Sequence, residues 1–183
     1  GEGSKFGVSI KYSIEEEPLG TGGPLKLAEK LIGEGDFFLL NGDILCNIDL
    51  NKAKEFHKKN NSLATILIHK SNHPSDSDLV EIDEKGRVKK IWTKPHQTIP
   101  PTITSNSGAY IINSKILDHI PLEKISLERK ILPKLDEEDH NIYGYDTNEY
   151  LRDMGTHERL KEIEEIIKKN NGEVPKYLYK EEQ

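Results

Sequence analysis

Apolar positions in this chain fall into short solid runs separated by segments of helical spacing. The run Phe37-Phe38-Leu39-Leu40 stops at Asn41-Gly42-Asp43. It is too short for a helix, and with Gly35 and Gly42 as bounds it predicts a strand buried on both faces in a parallel α/β sheet. Leu63-Ala64-Thr65-Ile66-Leu67-Ile68 predicts a second buried strand of β-rich composition. Between them, Asp49-Leu50 opens a helix whose buried stripe is Leu50, Ala53 and Phe56, with His57 at the boundary and Asn60-Asn61 at the end. Upstream, Phe6 to Ile14 alternates apolar and polar and predicts a strand. Pro24, followed by Leu25, Leu27, Ala28, Leu31 and Ile32, predicts a short amphipathic helix with proline in its first turn.

The second half carries a hairpin and three further helical segments. Leu79 to Asp83 and Arg87 to Trp92 flank Asp83-Glu84-Lys85-Gly86, where Gly86 supplies the positive φ of the turn. Ser105 to Ile112 begins polar and becomes strand-like. Ser114 and Ser126 are N-caps for helices over Lys115–His119 and Leu127–Leu135. Asn141 to Tyr145 reads as a strand, and Tyr150 to Thr156 leads into a last helix with Leu160, Ile163, Ile166 and Ile167 on one face and Thr156 as cap. Residues 1–169 form one domain in this reading, and 170–183 a polar tail or linker with Gly172 and Pro175. Strands alternating with helices, plus an antiparallel hairpin, predict a mostly parallel, three-layer α/β fold.

Composition narrows the function classes. The 183 residues are 32% charged and 34% hydrophobic, which suits one soluble domain with a real core. No apolar stretch is long enough to span a membrane, and Gly1-Glu2-Gly3-Ser4-Lys5 is not followed by the apolar core of a secretion signal, so a cytoplasmic protein is expected. The single Cys46 cannot make an internal disulfide and reads as packing rather than a nucleophile. A net charge of −6 with scattered lysines argues against a nucleic-acid surface. A phosphate-bearing substrate must then be held locally, by a metal, a helix N-terminus or one placed lysine.

Candidate chemistry sits at the strand ends. In open α/β sheets ligands bind outside the carboxyl ends of strands, where Asp43 falls, and Gly42 lets a ligand approach the backbone. Asp43 is either a turn residue or a ligand for a hard cation such as Mg²⁺. Glu15-Glu16-Glu17-Pro18-Leu19-Gly20-Thr21-Gly22-Gly23-Pro24 is an acidic turn entering a glycine-rich loop. The loop either presents N–H groups to an anion or base, or is a plain strand-to-helix connection. The His and Asp residues of Ser71 to Asp78 invite a metal reading, but such clusters beside proline are above all turn formers.

Five motifs occur in order: Glu17-Pro18-Leu19-Gly20-Thr21-Gly22-Gly23, Asn41-Gly42-Asp43, Lys94-Pro95, Asn106-Ser107-Gly108-Ala109-Tyr110 and Asp153-Met154-Gly155-Thr156. Together they closely resemble the sugar-1-phosphate nucleotidyltransferases over Phe6 to Lys169, nearest the mannose-1-phosphate and D-glycero-α-D-manno-heptose-1-phosphate guanylyltransferases. The resemblance implies a Rossmann-like fold and attack of a sugar phosphate on the α-phosphorus of an NTP with loss of pyrophosphate. It places Mg²⁺ on Asp43 and Asp153, Lys94 near the sugar phosphate, and Asn106 and Gly108 in the sugar pocket. Gly20 and Thr21, with Asn41 and Gly42, are implied nucleotide contacts, and Glu15 falls where relatives read the base. A carboxylate there accepts both donors of the guanine edge, which favours GTP.

Three positions depart from the pattern. Thr93 replaces the Glu that precedes the lysine, Asp78 replaces a common glycine of the sugar pocket, and the opening G-G-x-G-T-R-L phosphate loop does not occur. The chain is therefore expected to be a fragment lacking its first βα units, and to turn over poorly alone. Val174 to Gln183 resembles the connector that precedes a HAD-type phosphatase domain in some relatives, which favours manno-heptose as the sugar. The family also implies precursor synthesis for lipopolysaccharide or capsule, and allows a homo-oligomer. Two rivals are a non-catalytic nucleotide-binding module and a GT-A glycosyltransferase, the latter lacking its D-x-D motif at Asp43-Ile44-Leu45.

Overall fold

Pairing of the apolar runs into ladders decides which faces are buried. A computed structural model describes residues 1–71 and 73–177. Its helices are α1 (Gly23–Leu27), α2 (Glu29–Ile32), α3 (Leu50–Lys59), α4 (Leu132–Glu137) and α5 (His157–Lys169). Its strands are β1 (Asp36–Leu40), β2 (Ile44–Asn47), β3 (Ala64–Lys70), β4 (Leu79–Ile82), β5 (Val88–Trp92), β6 (Thr104–Asn113), β7 (Ile142–Asp146) and β8 (Tyr150–Asp153).

The main sheet runs β5-β4-β6-β3-β7, with β1 paired to β6 as well. Strands β1 and β4 share one edge of β6, β1 along Ala109–Asn113 and β4 at Ser105, while β3 lies along the other edge. Only β3–β7 is hydrogen-bonded in parallel. The remaining strand pairs are antiparallel: β6 runs against β1, β3 and β4, and β4–β5 and β2–β8 are antiparallel ladders of their own. Strands β1, β3, β4 and β7 nonetheless point the same way, which is the part of the parallel reading that the strand directions bear out. The hairpin β4–β5 forms as expected, with Gly86 at φ 81°.

Alternation along β6 feeds two cores. Tyr110 and Ile112 join Ile66, Ile68, Leu127, Leu132 and Leu135 on one face. Ala109 and Ile111 join Leu67, Ala53 of α3 and Leu151 of β8 on the other. Three layers follow: α4 and its preceding turns, the sheet, then α3 with the small β2–β8 ladder. Cys46 packs against the second core, and burial pushes its thiol up, in line with a packing role.

Several expectations are corrected. Phe6 to Ile14 is not a strand: Ser4–Phe6 is a 3-10 turn, 8–14 has no regular structure, and Phe6, Val8, Ile10, Tyr12 and Ile14 are exposed. An alternating pattern makes a strand only where a ladder partner exists, and among the described residues none lies beside it. Strand β1 is not buried on both faces; its pattern alternates, with Phe38 and Leu40 at 37% and 45% exposure. The helix expected over residues 24–32 is interrupted at Ala28, and that over 127–135 begins as a π-helical stretch, Leu127–Ile131. His57 is not a boundary residue but is buried at 1% exposure, its Nδ1 2.8 Å from Thr65 Oγ1 and its Nε2 3.4 Å from Asp36 Oδ1. In the tail, Asn47 Nδ2 donates to the carbonyls of Val174 and Pro175, and Tyr150 N to that of Lys176. Residues 178–183, part of the expected linker, lie outside the described residues. No described helix is long and apolar enough to cross a membrane.

Candidate active site

Two carboxylates far apart in sequence meet because β2 and β8 pair. Ile44 lies opposite Asp153, and Met154 N donates to the Asp43 carbonyl at 2.8 Å. Between the side chains stands Gly155. A Cβ there would fall 2.9 Å from Asp43 Oδ2 and 3.0 Å from Asp153 Oδ1, so the missing side chain is what lets the two oxygens converge. Asp153 is held on both sides, Oδ1 accepting from Gly155 N at 2.5 Å and Oδ2 from Arg159 Nη1 at 2.6 Å. The Asp43 carboxylate has no hydrogen bond or ion pair among the described residues. Two convergent hard oxygens, one of them unengaged, fit a divalent cation such as Mg²⁺.

This pair opens into a cavity of about 350 Å³. Thr21, Asn41, Asp78, Lys94, Asn106 and Gly108 line it alongside Asp43 and Asp153, whereas Glu15, Gly20 and Gly42 do not. A continuous hydrogen-bond chain runs along one wall. Asn106 Oδ1 accepts from Gly108 N, and its Nδ2 donates to Tyr110 Oη at 2.9 Å. Tyr110 Oη donates to Glu128 Oε1 at 3.2 Å, and Glu128 Oε2 accepts from Thr21 Oγ1 at 2.5 Å and Ser126 Oγ at 3.0 Å. Burial, with the Glu128 charge added, pushes the Tyr110 phenol well above its ordinary range, so it stays a donor. Gly108 sits at φ 76° with Asn41 Nδ2 2.8 Å from where its Cβ would be, which ties the Asn41 loop to this wall.

The glycine loop is pinned rather than free. Ile125 N donates to the Leu19 carbonyl, and Gly22 N to that of Ile125. Gly20 has φ 79°, and the Ile125 carbonyl oxygen stands 2.6 Å from a Cβ built there. Glu15 Oε2 accepts from Leu19 N at 2.6 Å, closing its own turn.

Cationic side chains are mostly paired. Lys94 Nζ contacts the Asp76 carbonyl at 2.8 Å and Asp76 Oδ1 at 3.2 Å, while Lys94 N donates to Asp78 Oδ1 at 2.8 Å. The Lys94 hydrogen bond holds the Asp76 carboxyl below its usual range. Arg129 lies 3.9 Å from Asp78, and Arg159 Nη2 3.8 Å from Asp76. His69 is neutral, its pKa pushed down to about 4 by burial and then by Arg152. His69, Glu128, Arg152 and Arg159 also line the cavity and are absent from the motif-based set. A histidine directly after the apolar run Ile66-Leu67-Ile68, and an arginine directly before Asp153, were the available signals for two of them. The trio His119, Glu138 and His140, whose donor atoms lie within 4.8 Å of one another, is outside this cavity.

Residues 1–170 match the family model described as nucleotidyl transferase. A mannose-1-phosphate guanyltransferase of Yarrowia lipolytica is 38% identical over 155 residues, covering 82% of this chain and 42% of that protein. The mannose-1-phosphate guanylyltransferase catalytic subunit beta of Drosophila melanogaster is 33% identical over 156 residues, covering 84% and 42%. The chain thus spans about two fifths of the length of these relatives. The crystal structure of HddC from Yersinia pseudotuberculosis superposes at TM-score 0.71 with 32% identity over 85% of this chain and 65% of HddC; HddC is also solved in complex with GMP-PN. A putative glucose-1-phosphate thymidylyltransferase from Bacillus anthracis, at TM-score 0.76 and 21% identity, covers 88% of this chain and 66% of its own, and shares the Rossmann-like α/β fold.

Proposed function

Since the chain belongs to the nucleotidyl transferase family, we propose that the polypeptide carrying it transfers GMP from GTP to a sugar 1-phosphate, mannose or manno-heptose, with release of pyrophosphate. The observation that carries this reading is the convergence of Asp43 and Asp153 over Gly155 at the mouth of one polar cavity. The guanylyltransferase names of the relatives and the GMP-PN complex of HddC support GTP as the nucleotide.

Phosphoryl-type transfer asks little covalent work of a protein, so positioning and charge carry the rate. Asp43 and Asp153 would hold Mg²⁺, which would supply charge neutralisation on the reacting phosphates. The Gly155 amide and Arg159 fix the Asp153 carboxylate, which spares it reorganisation when substrate arrives. Lys94 is one cation for the sugar phosphate, and it reaches that role by exchanging Asp76 for the substrate. Asn106, Gly108 and Asp78 face the sugar; Thr21 and Asn41 serve the nucleotide, with Gly42, Gly20 and Glu15 shaping the adjoining loops. Glu15 keeps Oε1 and one lone pair of Oε2 for guanine while Oε2 accepts from Leu19 N. The reaction belongs to cytoplasmic precursor supply for lipopolysaccharide or capsule, and a HAD-type phosphatase on the same polypeptide would generate the 1-phosphate from a heptose bisphosphate.

The test is pyrophosphate release by the full natural polypeptide with Mg²⁺, each of GTP, UTP, dTTP and CTP, and mannose or heptose 1-phosphates. GTP-selective turnover, lost in Asp43→Asn and Asp153→Asn, is expected. Nucleotide binding without turnover for any pair would instead identify a non-catalytic binding module.

A further inference from the structure

We infer that Arg152 is the anion-binding residue of the acceptor side of this cavity and receives the phosphate of the sugar 1-phosphate; the inference rests on the nucleotidyl-transfer reading above. Three Lys or Arg side chains line the cavity among the described residues: Lys94, Arg152 and Arg159. Lys94 is paired with Asp76, and Arg159 with Asp153 and Asp76. Among the described residues Arg152 has neither a carboxylate within 4.0 Å nor a side-chain hydrogen bond, and its Nε is fully shielded from water. Arg152 is half-buried with its Nε shielded and unpartnered, and such a guanidinium in a concave polar site marks a place where a ligand completes the pairing.

The surroundings agree with an oxyanion. His69 Nδ1 and Tyr150 Oη are likewise buried without partners, and the Arg152 charge acts on both side chains. His69 is neutral, so it competes for no negative charge, and its Nε2 lies 3.4 Å from the Ser105 hydroxyl. A planar guanidinium takes a phosphate through two parallel N–H bonds. The backbone of Arg152 is locked opposite Leu45 in the β2–β8 ladder, one residue before Asp153, so the fork is carried by a rigid element that also places an acidic ligand. An acceptor phosphate that must approach Asp43 and Asp153 needs a cation not already spent on the protein's own carboxylates. Arg152 supplies that cation, and Lys94 adds to it once it exchanges Asp76 for the phosphate.

The experiment compares wild type, Arg152→Gln and Arg152→Lys in the full polypeptide, with circular dichroism melts confirming the fold of each. In Arg152→Gln the KM for mannose 1-phosphate rises about tenfold or more while that for GTP stays within about twofold, and Arg152→Lys falls between. Inorganic phosphate competes with the sugar phosphate in the wild type and loses about tenfold in potency in Arg152→Gln. An unchanged acceptor KM and unchanged phosphate inhibition in folded Arg152→Gln overturn the inference; if that variant does not fold, an unchanged acceptor KM in Arg152→Lys does so. Should the wild type release no pyrophosphate, calorimetric titration with inorganic phosphate still decides. Binding lost on substitution keeps the anion site although the transferase reading fails, and binding equal in both proteins removes the site.

Discussion

Gly155 matters because of two oxygens, not because of its backbone. Its φ lies outside the left-handed region, so alanine is tolerated by the chain, yet a Cβ would press on Asp43 Oδ2 and Asp153 Oδ1 at about 3 Å. Gly155→Ala is therefore expected to leave the melting temperature nearly unchanged and to weaken Mg²⁺ about tenfold or more, measured by titrating turnover against the metal. At His69 the expected effect is on stability. Burial and Arg152 hold its pKa at about 4 instead of 6.5, so below pH 6.5 the unfolded chain binds a proton that the folded one refuses. Stability is thus full above pH 6.5 and falls with acidification down to about 4, by at most about 1.4 kcal/mol per pH unit from this group. Urea unfolding at pH 7 and pH 5 should show a smaller loss in His69→Gln than in wild type. The lowered pKa of buried His57 acts in the same direction, so a residual slope remains in the variant.

The helices begin at caps that the sequence announces. Asp49 Oδ1 accepts from Asn51 N and Lys52 N at the start of α3, so Asp49→Ala should cost about 1 kcal/mol by urea denaturation without altering substrate KM. Thr156 differs, although its Oγ1 caps α5 by the same chemistry, accepting from Arg159 N at 3.2 Å. Arg159 is also the clamp on Asp153. Thr156→Ala is expected to cost about 1 kcal/mol of stability and, in addition, to lower kcat by roughly tenfold, an effect that Asp49→Ala lacks. The elements that escaped sequence reading are β2 and β8. Each is a four-residue ladder whose partner lies about a hundred positions away, and neither has an alternation long enough to stand out.

Strand β6 joins the molecule's two cores. Ile112 is fully buried against α4 and its neighbours, Ile111 against α3 and β8. Either Ile→Ala change should destabilise the whole domain by about 2–5 kcal/mol in a single cooperative transition, seen as a lower urea midpoint at constant m-value. The glycine loop is joined to this body through Ile125 and through Thr21 Oγ1, which donates to Glu128 and accepts from Leu127 N. Gly20→Ala, with a positive φ and a backbone oxygen in the way, should therefore raise the KM for GTP more than it lowers the melting temperature.

By itself the sequence determined the elements with strong local signals: the capped helices α3 and α5, the solid runs of β1 and β3, the Gly86 hairpin, and the motif positions Asp43, Lys94, Asn106 and Asp153. The element signals lie within a few residues of one another and depend on backbone chemistry and periodicity alone, whereas the motif positions were legible only through the resemblance to a family. The tertiary structure decided which faces are covered, since burial belongs to neighbours distant in sequence: Phe38 and Leu40 stay half-exposed and His57 goes inside. It also decided the electrostatics of the cavity. Which cation finds a carboxylate is a matter of distances between segments far apart in sequence, and among the described residues those distances pair Lys94 and Arg159 and leave Arg152 open.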